Sequence, residues 1–239
     1  KETLDELMRS LERIKESNDS AILLYEFKGD VHFVRQEFDL ALNELKKGRG
    51  PESNMNLFSA LKSIEDYKSG SGYASLPVIQ TLIKSLNGNF LQQQVRMMLY
   101  DGKVRANKEE HLKLVEMVFK EINRTSDVDE FKFDYETKTL TISGDFVRCS
   151  VYIAQFDQQV SLISTLKPEH LILKKSKRFN TSSLDVLKLK SLDLSEMPLL
   201  QPNKVVKKGV TDKLIISEKL TNPELIELLQ EENNLETIP

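Results

Sequence analysis

His170-Leu171-Ile172-Leu173-Lys174 is a short apolar triplet closed on both sides by polar residues, and the pattern recurs along the second half of the chain. The other copies are Phe131-Lys132-Phe133, Val151-Tyr152-Ile153, Leu192-Asp193-Leu194 and Leu214-Ile215-Ile216. In chain order their first residues stand 20, 20, 21 and 22 apart. Apolar runs this short read as strands rather than helices. A period of this size predicts a solenoid of stacked units, each contributing one strand and none able to bury its apolar face alone.

Side chains alternate across a strand, so the outer residues of each triplet point into the core and the middle residue points out. The outward column is then Lys132, Tyr152, Ile172, Asp193 and Ile215, with His170 and Lys174 beside it. Neighbouring strands lie ~4.8 Å apart, which would join Tyr152, Ile172 and Ile215 into a patch with an aromatic anchor, a protein-binding surface. The alternative is that helices cover this face and make it core.

Upstream, the apolar spacing is helical. Helices are expected at about 4–14, as a pair between 21 and 47 broken near Gly29 or Arg35-Gln36, and at 54–67, 76–87, 89–100 and 108–123. Thr3 with Glu6 and Asn107 with Glu110 read as capping boxes, and Ser75 as a cap. Near Ser126-Asp127 the spacing changes to alternation, through Phe131, Phe133 and Tyr135 and then Leu140 and Ile142. That is a hairpin signal, and it offers the first triplet a second assignment. Segments 158–166 and 182–187 read as helices on the outer curve. The expected fold is α+β or α/β, with a helical bundle over 1–125 and a strand-helix repeat domain over 129–239.

Leu189-Lys190-Ser191-Leu192-Asp193-Leu194 resembles the Leu-x-x-Leu-x-Leu core of leucine-rich repeats, and Asn233-Asn234-Leu235-Glu236-Thr237-Ile238-Pro239 resembles their Asn-x-Leu-x-x-Ile-Pro ending. The Asn expected after each strand is replaced by Ser176, Met197 and Lys219, so the repeats are irregular. Tyr25, Gly29, Phe38 and Ala41, with Leu45, resemble one tetratricopeptide unit within 19–49. That resemblance implies a helical hairpin with close approach at Gly29 and Ala41. A single unit makes no peptide-binding array, because at least three must stack.

The formal charge of -3 is spread evenly and sets up no field for nucleic acid or an anionic membrane. The lone Cys149 permits no internal disulfide, residues 1–20 are too charged for a signal peptide, and no apolar run reaches the ~18 residues of a membrane span. An intracellular protein, cytoplasmic or nuclear, is expected. His32 reads as a packed residue of the helical hairpin and His111 as a solvated helix start. No pair of histidines has metal-ligand spacing, and no acid, base and nucleophile converge in sequence. No cofactor, metal or catalytic residue is assigned. The expected function is a non-enzymatic adaptor or scaffold that binds a protein through the sheet face. The alternative is RNA binding along a basic edge of Lys174, Lys175, Lys177 and Arg178 with Lys204, Lys207 and Lys208, one repeat further on.

Overall fold

The computed structural model describes residues 4–13, 20–48, 55–68, 70, 73–86, 91–124, 127–153, 158–198, 206, 210–217, 227 and 234–238. It is a mixed α/β protein in which helices precede a mostly parallel sheet. The chain divides into two compact units, Lys1–Val118 and Phe119–Pro239.

The first unit holds helices α1 (Leu4–Arg13), α2 (Ser20–Val34), α3 (Phe38–Lys47), α4 (Met55–Lys62), α5 (Leu76–Leu86), α6 (Leu91–Val104) and most of α7 (Lys108–Asn123). The α2–α3 hairpin breaks at Arg35-Gln36, where Gln36 takes a left-handed φ of 63°. Gly29 does not break it. Gly29 lies inside α2 against Leu45 of α3, and a Cβ there would stand 3.0 Å from the Leu45 side chain. The small residue thus sets how closely the two helices approach. Helix α2 also packs on α1 and α6, with Leu24 and Val31 buried against Met8 and Leu11 of α1. At the start of α7, Asn107 Oδ1 accepts the backbone N–H groups of Glu109 and Glu110 at 3.1 and 3.2 Å, as its capping role requires. Thr3 lies outside the described residues.

The boundary between the units falls inside α7 rather than in the loop near 126. The reason is local. Phe119 stacks on Phe131 and Phe146, with ring centroids 5.4 and 5.6 Å away. Asn123 Oδ1 accepts the Val147 and Arg148 N–H groups, both at 2.9 Å. The last turns of α7 therefore belong with the sheet.

That sheet has six strands in the order β1-β2-β5-β6-β7-β8: β1 (Val128–Asp134), β2 (Thr139–Gly144), β5 (His170–Lys174), β6 (Ser191–Asp193), β7 (Leu214–Ser217) and β8 (Leu235–Ile238). β1 and β2 form the antiparallel hairpin, and every later pairing is parallel. Gly144 ends β2 with φ 123° beside Asp127, whose carbonyl oxygen would lie 1.9 Å from any Cβ. Leu140, Leu171, Leu192 and Leu214 occupy equivalent inward positions and are fully buried, and Leu235 is next in the same row.

Two expectations need correction. Val151-Tyr152-Ile153 is not a strand of this sheet. It forms β3 (Ser150–Ile153) and pairs antiparallel with β4 (Gln158–Ser161) in a separate hairpin. Both sides of β2 are already occupied by β1 and β5, and closing a short local loop costs less entropy than reaching a distant strand. The steps between equivalent leucines, from β2 onward, are therefore 31, 21, 22 and 21, the first lengthened by the hairpin. The outer-curve helices are also absent from the two predicted segments. Segment 158–166 is β4 followed by a 3-10 turn, Ser164–Leu166, and the second predicted segment holds a 3-10 helix, Thr181–Leu184. Lys167 takes a left-handed φ of 52° and Pro168 follows, so the first turn cannot propagate.

Candidate functional site

Strand register places six side chains in one row on the outward face: Lys132, Thr141, Ile172, Asp193, Ile215 and Glu236. Four of these are legible in the sequence. Thr141 takes the place assigned to Tyr152, and Glu236 extends the row to β8. Tyr152 stands on β3 opposite Gln159 and is 61% exposed, outside the main sheet. The apolar patch is accordingly smaller than expected, because Thr141 stands where the aromatic anchor Tyr152 is expected and leaves only Ile172 and Ile215 on either side of Asp193. A signal for both missed positions is present in the sequence. Leu140-Thr141-Ile142 is itself an apolar triplet, and Leu235 follows Leu214 by 21 residues.

The row on one side contains Thr139, His170 and Ser191, and His170 Nδ1 lies 2.6 Å from Ser191 Oγ. The pair fixes the imidazole across two strands. At the hairpin end, a polar recess of about 280 Å³ is lined by Glu130, Lys132, Asp134, Thr137, Thr139 and Thr141. The backbone N–H groups of Thr137 and Glu136 donate to Asp134 and hold its carboxyl below the usual carboxylate range. Recess and row are continuous through Lys132 and Thr141.

The cations on this unit are largely committed. Lys174 pairs with Glu196 at 2.8 Å, which raises its pKa, Lys175 pairs with Asp129 at 3.0 Å, and Arg178 pairs with Asp145 at 2.8 Å. Lys213 pairs with Glu236, and Lys138 and Lys190 both reach Glu169. Hydrogen bonds first from Lys138 and then from Lys190 pull Glu169 down to about 2. Lys177 is exposed. Lys204, Lys207 and Lys208 lie outside the described residues. Three of the four described cations proposed for RNA thus already hold carboxylates.

The helical unit carries a second polar constellation. Asp101 is fully buried and accepts from Arg105 Nε at 2.8 and 3.0 Å and from Gln36 Nε2 at 2.7 Å, with His111 Nδ1 also 2.7 Å away. Arg105 donates onward to the Ala74 carbonyl and to Glu110, and its guanidinium lies 4.1 Å from the Tyr73 ring centroid. Gln36 Oε1 accepts the Ala74 N–H. Burial pushes the Asp101 carboxyl up, but the His111 and Gln36 hydrogen bonds and the Arg105 charge outweigh it, so it sits below its ordinary value. His111 is therefore not a solvated helix-start residue but a buried member of this network, 6% exposed. These contacts tie separate segments of the helical unit together. His32 contacts Glu37 Oε2 at 2.6 Å. Cys149 is buried, which raises its thiol pKa and keeps it protonated.

No group of three His, Cys, Asp or Glu side chains among the described residues is arranged to hold a metal, and no described helix is long and apolar enough to cross a membrane. No protein-family model, no curated protein and no solved structure matches this chain.

Proposed function

We propose that this protein is an adaptor or scaffold that binds a protein partner through the outward face of its six-stranded sheet, and that the sheet unit is an irregular leucine-rich-repeat-like domain. The observation that carries the reading is the register row itself. Six strands present Lys132, Thr141, Ile172, Asp193, Ile215 and Glu236 side by side, while the opposite face of the same strands is apolar core. Mixed polar and aliphatic side chains on a rigid frame suit recognition of another protein, where placed hydrogen bonds give specificity and a few apolar contacts give affinity. RNA contact through the basic edge is the second reading, and the ion pairs of Lys174, Lys175 and Arg178 count against it.

Ile172→Glu with Ile215→Glu tests the proposal. Both side chains are half-buried and outward, so the doubly substituted chain is expected to melt as the native one does while losing partners recovered from a cell extract. Recovery of the same proteins in the same amounts by a folded double variant would refute the face. RNA binding at low salt that falls steeply as salt rises would favour the second reading instead.

A further inference from the structure

At the middle of the sheet, Asp193 stands in one register row between Ile172 on β5 and Ile215 on β7. All three side chains are half-buried. The Ser195 backbone N–H donates to Asp193 Oδ1 at 2.9 Å and fixes the carboxylate, while Oδ2 has no hydrogen-bond partner among the described residues. Two lysines lie diagonally across the neighbouring strands: Lys174 pairs with Glu196 while its charge also feels Asp193, and Lys213 pairs with Glu236.

A fixed carboxylate between two aliphatic walls favours a cation that brings an apolar stem with it. Lysine offers a strongly hydrated point charge, which loses more on leaving water. Arginine carries a planar, weakly hydrated guanidinium on a methylene stem, and several N–H groups to share with one carboxylate. We infer that the sheet face receives an arginine-bearing segment of the protein partner, with the guanidinium seated on Asp193 and its stem lying over Ile172 and Ile215. This inference rests on the reading of the sheet face as the binding surface.

A phage-displayed library of random dodecapeptides, selected on the full chain and counter-selected on the Ile172→Glu/Ile215→Glu chain, tests both levels. The face-specific peptides are expected to share one arginine. Their affinity should fall about tenfold or more on Asp193→Asn, and equally when that arginine is replaced by citrulline, which keeps the shape and removes the charge. The amide introduced by Asp193→Asn retains an acceptor for the Ser195 N–H, and an unchanged melting curve confirms that the fold survives. Face-specific peptides without a shared arginine, or indifferent to Asp193→Asn, would overturn the arginine seat and leave the sheet-face reading standing. A selection yielding no face-specific peptide would overturn both.

Discussion

In the helical unit the ion pair of Asp101 and Arg105 is completely buried, whereas each ion pair described in the sheet unit keeps both side chains at least a quarter exposed. The contrast follows from what each architecture leaves unsatisfied. A parallel sheet pairs its backbone through the ladder, and its apolar residues fill one face, so polar side chains are free to stand outside. Helices joined by irregular turns have no ladder between them. Asp101 supplies the join: through Gln36 and Arg105 it gathers the α2–α3 break, the Ala74 backbone before α5 and the turn from α6 into α7. The lesson is that the two units depend on different kinds of residue, one on backbone geometry and the other on a shared buried charge.

Four substitutions test this contrast between the two units. The largest effect is expected from Gly144→Ala, because its φ of 123° and the Asp127 carbonyl leave no space for a Cβ. A loss of about 4 kcal/mol or more is expected, read as early unfolding of strand signal in far-ultraviolet circular dichroism under urea. Wild-type stability in this variant would show that the β1–β2 hairpin is not required for the sheet.

Asp101→Asn comes next, since it takes from the buried Arg105 its fully buried carboxylate and leaves only the partly exposed Glu110, a loss of about 3 kcal/mol expected in the helical unit. The pH dependence has a defined sign. Asp101 titrates below its ordinary value when folded, so its contribution is complete above the unfolded value of about 3.9 and is lost as pH falls through the folded value. The stability gap between native and Asp101→Asn chains should therefore narrow on acidification below about pH 4. A gap that stays constant down to about pH 2 would show that the carboxylate charge is not what holds the helices.

Asn123→Ala removes the acceptor for two backbone N–H groups and is expected to cost about 2 kcal/mol in the sheet transition. Loss of stability confined to the helical transition would place α7 wholly with the helices. The smallest effect is a gain. Gly70 has open space where a Cβ would stand, so Gly70→Ala should stabilise by about 0.5 kcal/mol by restricting the unfolded chain, seen as a small upward shift of the melting temperature.

The sequence was most legible where burial alternates with a regular period. Leu171, Leu192 and Leu214 declared their strands because each is flanked by a second inward apolar residue at two-residue spacing. The same rule misplaced Tyr152, since a triplet states which residues point together but not which strand lies alongside. Helix α7 was legible from its stripe and its Asn107 cap, while its division between two units was not, because the stripe of a helix does not say what packs on it. Asp101 carried one local signal, Arg105 four residues on, but its other partners Gln36 and His111 are 65 and 10 residues away.

By itself, then, the amino-acid order determined the helical first half, the change of period near 126, the inward leucines and four members of the outward row. These are local properties, set by side-chain periodicity along a single element. The fold as a whole settled the parallel register that puts Thr141 beside Ile172, the exclusion of β3 from the sheet, the pairing of the edge cations and the Ser195 N–H bond that fixes Asp193. The first three depend on a choice among distant partners, which is resolved by competition for ladder positions and buried charge rather than by any single stretch of chain.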